Sequence, residues 1–230
     1  MSTVGVHTPF RKITISGVGE KGDNVETIRS ITAKQLAAVE LSIVFILIIV
    51  QVWMFDGVSL VPAGLAVSIV VAGWILRKKS LRDIGLIDLR WTIPAIVILW
   101  GKLAFGRSLG NQHDINQMAL GFVGYFPWAL FQQIILNGFF ADQLRTQMRG
   151  ALVPLSAGIL FGAVHIPNPV LAPVAFLGGV AASYVFLRAK RRNVYIIALA
   201  HAVVAVVVFY LIPMPWHHHF AVGPRFWMHH

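Results

Sequence analysis

The chain has 230 residues, of which 57% are hydrophobic and 12% are charged, and its formal net charge is +10 at pH 7. A soluble domain carries about 25% charged residues, so this composition excludes an ordinary soluble protein and predicts a polytopic membrane protein. The chain contains no cysteine, which excludes disulfides, iron–sulfur clusters and a thiol nucleophile.

The predicted architecture is a single all-α membrane helix bundle. Residues 1–34 are polar and lack the apolar region of a signal peptide, so they are predicted to be a cytoplasmic N-terminal tail. Residues 35–213 hold about seven apolar runs that approach the ~20 residues a transmembrane helix needs. In chain order the predicted transmembrane helices are residues 36–55, 58–76, 91–105, 117–140, 151–165, 170–187 and 194–213, and residues 214–230 form a C-terminal tail.

The basic residues are concentrated in the segments between alternate spans. With the N-terminus placed inside, sixteen of the 19 Lys and Arg residues lie in cytoplasmic segments. Cytoplasmic loops of membrane proteins carry such an excess, so we expect a cytoplasmic N-terminus and an outward C-terminus in the inner (plasma) membrane of a bacterium or archaeon. No basic stripe is interleaved with aromatic residues, so the lipid bilayer is the expected partner and nucleic acid is not.

Three side-chain amides interrupt the fourth predicted span, at Gln132, Gln133 and Asn137. A buried amide costs free energy in a bilayer unless it finds a partner. Gln133 and Asn137 are four residues apart and therefore share a helix face. Two interpretations are open: a polar stripe that faces a site, or hydrogen bonds that hold neighbouring helices together.

Two histidines lie in later spans and supply candidate partners. His165 closes the fifth predicted span, and His201 lies about eight residues into the seventh. Ionisable residues inside a membrane are functional candidates, although a single histidine can equally be a hydrogen-bonded packing residue. In the fifth span, Gly158 and Gly162 form a G-x-x-x-G pair that permits close approach of another helix. We predict one polar site built from residues 132, 133, 137, 165 and 201.

The depths of these residues set a geometric condition. Counted from the inner ends of their predicted spans at 1.5 Å per residue, Gln132 and His201 lie roughly 12–13 Å deep and His165 roughly 22 Å deep. A single site therefore requires the fifth span to start deeper, to tilt, or to begin inside a re-entrant loop.

The order of these motifs resembles the CPBP family of intramembrane proteases, which includes the CAAX proteases and the bacteriocin-processing (Abi) proteins. The family has Glu-Glu-x-x-x-Arg, Phe-x-x-x-His and His-x-x-x-Asn/Asp motifs in successive spans. Here residues 132–137 fall on the first motif, Phe161 and His165 match the second, and His201 matches the third without its final residue, where Ala205 stands. The resemblance covers about residues 80–210.

The departures from the family motifs concern the acid pair. The glutamates of the family are thought to activate a water and, with the histidines, to stabilise the oxyanion. Gln132 and Gln133 cannot take a proton, and Asn137 stands in place of the arginine. The resemblance implies a CAAX-protease-like peptidase with altered catalysis that acts on a membrane-associated or lipidated peptide. The alternative is an inactive relative that binds a lipid, a prenylated peptide or a partner helix.

A divalent metal such as zinc is the candidate cofactor, with His165 and His201 as candidate ligands. Two histidines with amides make a poor zinc set, because a third histidine or a carboxylate is expected. A short histidine tract in the C-terminal tail is a further candidate for metal binding if the tail folds back to the mouth of the site. It can equally be an interfacial patch. The tract comprises His217, His218 and His219.

Overall fold

The computed structural model of the protein describes residues 19–55, 60–86, 112–211 and 221–228. These residues form helices and turns, without a β-strand among them, which confirms the all-α class. The chain divides into two units, Met1–Leu36 and Ala37–His230. The third predicted span, residues 91–105, and the histidine tract, residues 217–219, lie outside the described residues.

The helices follow the predicted order, with shifts at their ends. They are α1 (Gly19–Val50), α2 (Val61–Leu76), α3 (Gln112–Gln133), α4 (Asp142–Gln147), α5 (Leu152–Val164), α6 (Leu171–Arg188), α7 (Val194–Leu211) and α8 (Arg225–Met228). A π-helical segment, Gln51–Phe55, continues α1, and a second, Ile134–Ala141, joins α3 to α4. The chain is therefore helical without a break from Gln112 to Gln147, longer than the fourth predicted span. α1 starts within the predicted N-terminal tail.

Two helices of the described residues are long and apolar enough to cross a membrane, Ile31–Phe55 and Leu171–Arg188. Three shorter apolar helices accompany them: Val61–Leu76, Leu152–Val164 and Val194–Phe209. Large apolar side chains cover the outside of these helices, and Ile75 and Leu177, for example, are 70% and 64% exposed. Exposed apolar surface of this extent is typical of a membrane contact. The count of seven spans remains a prediction.

α5 and α6 pack closely because glycines line their interface. A Cβ added at Gly158 would lie 2.4 Å from Val180 Cγ2 and 2.7 Å from the carbonyl oxygen of Phe176. At Gly162 it would lie 3.0 Å from the carbonyl oxygen of Ala172. Both residues face α6, so the predicted close approach through the G-x-x-x-G pair is confirmed.

An ion-pair cluster joins the connector after α2 to the start of α4 and to the loop before α7. Lys79 Nζ lies 2.6 Å from Asp142 Oδ2, and Arg192 Nη1 lies 3.5 Å from Asp142 Oδ1. Arg192 Nη1 also donates to the carbonyl oxygen of Asp83 at 3.1 Å. Asp142 and Arg192 therefore lie at the same level of the bundle.

The segment predicted as a loop, residues 142–150, is helical through Gln147. Gln143 is 5% exposed, and its Nε2 donates to Glu40 Oε2 at 3.0 Å. Glu40 also pairs with Arg77. Polar residues that suggested a loop are good helix formers, and they are held here by partners on α1 and after α2.

The C-terminal segment returns to the turn that follows α5. Asn168 is fully buried; its Nδ2 donates to the carbonyl oxygen of Ala221 at 3.1 Å, and its Oδ1 accepts from the backbone N–H of Leu171 at 2.9 Å. The backbone N–H of Gly223 donates to the carbonyl oxygen of Ile166 at 3.2 Å. One asparagine therefore caps α6 and holds the segment 221–228 beside the end of α5.

Candidate active site

A cavity of about 450 Å³ opens between α3, α5, α6 and α7. Most of its walls are apolar, and its polar lining comprises Tyr125, Gln132, Gln133, His165 and His201. An apolar cavity with a few convergent polar groups is the usual form of a ligand site. Four of the five predicted site residues line it directly, and the fifth, Asn137, lies behind Gln133.

A chain of hydrogen bonds links three of the predicted residues. Asn137 Nδ2 donates to Gln133 Oε1 at 2.6 Å, and Gln133 Nε2 lies 2.9 Å from His201 Nδ1. Gln133 is 2% exposed and Asn137 is fully buried, so these bonds form away from solvent. The amides therefore join α3 to α7 and face the site as well, and the two interpretations of the polar stripe both apply.

These two hydrogen bonds determine which ring nitrogen of His201 carries the proton. Asn137 donates to Gln133 Oε1, so Gln133 presents its NH₂ group to His201, and His201 Nδ1 must accept. A neutral imidazole that accepts at Nδ1 carries its proton on Nε2. With both amides reversed, the buried NH₂ of Asn137 would take the place of its Oδ1, which has no hydrogen-bond partner among the described residues. Buried donors without partners are rarer than under-satisfied carbonyls.

Tyr125 is a site residue that the sequence analysis missed. Its Oη lies 3.5 Å from His201 Nε2, and the two rings meet edge to face with centroids 5.9 Å apart. Tyr125, Ala129, Gln133 and Asn137 follow one another at intervals of four residues and share one side of the helix. Continuing the amide stripe two turns backwards would have found the tyrosine.

His165 is oriented by the helix that it ends. Its Nδ1 lies 2.7 Å from the carbonyl oxygen of Phe161. A carbonyl only accepts, so Nδ1 carries the proton and Nε2 keeps its lone pair. The Phe161 ring contacts both histidines edge to face, with centroids 4.9 Å from His165 and 5.6 Å from His201. The Phe-x-x-x-His motif thus sets the tautomer of His165 and places one aromatic ring against both imidazoles.

The sequence predicted that His165 lies deeper than Gln132 and His201. This difference is resolved because the helix of the fourth predicted span continues to Gln147. Asp142 pairs with Arg192, Gln133 lies nine residues before Asp142, and His201 lies nine residues after Arg192. Gln133 and His201 therefore lie at the same level of the bundle, in agreement with the 2.9 Å contact between their side chains. Because α4 continues beyond Asp142, α5 begins farther from the site, and His165 at its end reaches the same cavity.

Gln132 lies on the wall between two cavities. It lines the first cavity and also a second one of about 600 Å³, whose walls come mainly from α2, α3, α5 and the two π-helical segments. Phe161 and Val164 line both cavities too. Gln132 Oε1 is buried without a hydrogen-bond partner among the described residues, so it can accept from a donor that enters.

The described residues do not form a metal site by themselves. No group of three His, Asp or Glu residues among them is placed to hold a metal ion. His165 and His201 would supply two nitrogen ligands where zinc requires three or four protein ligands. Ala205 also lines the first cavity and brings no polar group to it.

Residues 114–207 match the family model described as Type II CAAX prenyl endopeptidase Rce1-like. No curated protein and no solved structure matches the chain. The matched segment contains every residue of the polar site, and the family is membrane-embedded, in agreement with the two candidate spans. The resemblance inferred from the motifs is thereby confirmed: the chain carries an Rce1-like segment, consistent with a member of the CPBP/CAAX-protease family.

Proposed function

We propose that the protein is an intramembrane peptidase that hydrolyses a membrane-associated or lipidated peptide in the first cavity, with His165 as general base. The observation that carries this proposal is the bond from His165 Nδ1 to the carbonyl oxygen of Phe161, at 2.7 Å. It holds the imidazole with its Nε2 lone pair available, in a cavity that also contains hydrogen-bond donors. A base of this kind can act without the acid pair of the family.

The reaction follows from these positions. His165 Nε2 takes a proton from water, and the water oxygen bonds to the peptide carbonyl carbon. The carbonyl oxygen takes up the electron pair and is stabilised by hydrogen-bond donors that line the cavity. The carbon–nitrogen bond then breaks, the leaving amine receives the proton from His165, and the histidine returns to its neutral form.

Catalysis by this set is weaker than by a carboxylate pair. General-base catalysis contributes about 10²–10⁴-fold. His165 supplies part of this factor, while Gln132 can orient the water through its buried Oε1 and cannot take a proton from it. We therefore expect slow turnover.

The apolar walls of the two cavities are suited to a lipidated substrate. The first cavity is bounded mainly by Ala, Val, Leu and aromatic side chains, and the second cavity, larger and more apolar, meets it at Gln132 and Phe161. A peptide at the histidines could place its lipid chain in the second cavity, whose apolar walls match the lipid chain.

The test is cleavage of a prenylated peptide by the full chain reconstituted in liposomes, with the products identified by mass spectrometry. We expect slow cleavage by the native chain and a loss of at least about 10²-fold in His165→Ala. Tyr184→Phe, on the exposed side of α6, is the matched control and should cleave at the native rate. Equal rates in the native chain and His165→Ala, or no cleavage by either, would overturn the proposal.

A second candidate function is an inactive relative that binds a lipid or prenylated peptide without cleaving it. No carboxylate is found among the described residues that line the first cavity, and this observation favours it. The test is the double variant Gln132→Glu with Gln133→Glu. If the native chain binds the peptide without cleavage and the double variant cleaves it, the second candidate holds; cleavage by the native chain eliminates it.

A further inference from the structure

We infer that Tyr125 and His201 form a pair of hydrogen-bond donors that binds a carbonyl-type oxygen of the ligand. The inference deepens the proposed function, because this oxygen is the one that gains negative charge during hydrolysis. Tyr125 lies outside the three motifs of the family, and in this chain it supplies the polar group that is missing at Ala205.

The distance between the two groups leaves room for a third partner. Tyr125 Oη and His201 Nε2 are 3.5 Å apart, which is longer than a good hydrogen bond of this type. An oxygen placed between them can lie at about 2.9 Å from each donor. Both side chains line the first cavity, so such an oxygen would arrive with the ligand.

The amide chain makes His201 a donor on this side. Gln133 donates to Nδ1, which leaves the proton on Nε2, facing Tyr125. A glutamate at position 133 would do the opposite, because a carboxylate only accepts and would hold the proton on Nδ1. Gln133 is therefore a positioning residue, and Asn137 fixes the orientation of its amide.

This arrangement accounts for three of the departures from the family motifs, those at residues 133, 137 and 205. Gln133 and Asn137 form one hydrogen-bonded chain that ends at His201, and Tyr125 on α3 supplies the polar group that is missing at Ala205. His165 offers an acceptor within the same cavity. The site thus presents an acceptor for water and two donors for a carbonyl oxygen.

The chemical class of the ligand follows from the donors. Two donors, in a cavity with no carboxylate among its described lining residues, favour an acceptor oxygen, such as the carbonyl of an amide or of an ester, and disfavour a cation. Both a peptide and a lipid ester contain this group, within or beside an apolar chain that suits the cavity walls.

The first test uses a long-chain methyl ketone with a ¹³C-labelled carbonyl as the probe, bound to the full chain in nanodiscs. The infrared carbonyl stretch of the bound probe should move to lower frequency in the native chain. Tyr125→Phe, which keeps the ring, should lose about half of this shift, and Tyr184→Phe should keep all of it. A bound probe whose frequency equals that in lipid alone, or is unaffected by Tyr125→Phe, would overturn the inference.

The source of the oxygen is decided by competition against the labelled ketone. Displacement by a prenylated peptide identifies a peptide carbonyl, and displacement by added phospholipid identifies a lipid ester. Displacement by neither, while the ketone reports hydrogen bonds, would show that the site binds a third class of carbonyl compound and would overturn the link to the proposed peptidase.

The second test reads the histidine proton directly by ¹⁵N NMR of histidine-labelled protein. We expect His201 to be protonated on Nε2 in the native chain and on Nδ1 in Gln133→Glu. Protonation on Nδ1 in the native chain would overturn the role of Gln133. Neither measurement requires turnover. The donor pair can therefore be refuted while His165-dependent cleavage is observed, and cleavage can be absent while the donor pair is confirmed. Where cleavage occurs, Tyr125→Phe should lower kcat by about 10²-fold, with a smaller change in KM.

Discussion

Gln133 Nε2 lies 2.9 Å from His201 Nδ1, and this contact joins the first motif of the chain to the last across 68 residues of sequence. This contact brings the two motifs together at one site, because the amide of Gln133 and the imidazole of His201 are hydrogen-bond partners. It also fixes which side of the imidazole faces the cavity.

Replacing Gln133 with leucine should destabilise the fold by about 1–3 kcal/mol. The variant keeps the volume of the side chain but leaves the buried amide of Asn137 and Nδ1 of His201 without partners. Thermal denaturation in detergent measures the loss. Gln147→Leu, at the exposed end of α4, is the control and should change stability by less than about 0.5 kcal/mol. Equal stability of the two variants would refute the role given to the amide chain.

Gly158→Ala should destabilise the pair α5–α6 by about 1–3 kcal/mol, because the new methyl group would overlap Val180 and the backbone of Phe176. Gly178→Ala on the same helix pair is the matched control, since a Cβ there meets nothing within 4 Å. It should stabilise by about 0.5–1 kcal/mol through the higher helix propensity of alanine. Chemical denaturation of the three proteins measures both signs, and destabilisation by Gly178→Ala would contradict the packing described.

Asn168→Ala should release the C-terminal segment as well as remove a helix cap. It loses the bond to Ala221 and the cap of α6, the cap alone being worth about 1 kcal/mol. Asn193→Ala removes the corresponding cap at the start of α7, where Asn193 Oδ1 accepts from Tyr195 and Ile196. Limited proteolysis of the C-terminal segment should accelerate in the first variant and not in the second. Equal protection in both would show that Asn168 does not hold the segment.

The seven-span count and its orientation can be tested because the chain has no cysteine. Single cysteines at Arg149, Lys190 and Trp227 replace exposed side chains. With the N-terminus cytoplasmic, a membrane-impermeant maleimide should label Arg149→Cys and Lys190→Cys only from the cytoplasmic side and Trp227→Cys only from the outside. Labelling of all three from one side would contradict the predicted topology.

The sequence predicted which polar residues converge at the candidate site better than it predicted their geometry. Gln133, Asn137, His165 and His201 follow from the cost of buried polar groups in an apolar run, a local property that residue types reveal. Tyr125 was missed because a tyrosine in an apolar helix is common at membrane interfaces and needs no partner to explain it. The position of His165 at the cavity depends on how far the helix of the fourth predicted span continues. The polar residues after Phe140 suggested that a loop begins there.

Other features of the fold depend on contacts that no local pattern encodes. Asn168 binds the carbonyl oxygen of Ala221, 53 residues away, and a short Pro-Asn-Pro turn gives no indication of that partner. The π-helical segment Ile134–Ala141 follows Gln133 directly, and its residues have no composition that distinguishes it from an α-helix. Segments of this kind occur frequently at functional sites, which agrees with its position here.

We propose that the first cavity, with its amides and histidines, receives a lipidated peptide. The most direct measurement is photocrosslinking of a prenylated peptide that carries a diazirine on the residue next to its prenylated residue, with the labelled residues mapped by mass spectrometry. We predict labels at Val164, Ala205 and their neighbours in the cavity, lost when unlabelled peptide competes. Labels confined to the outer faces of the helices, such as Leu65 and Ile75, and unaffected by the competitor would contradict the claim.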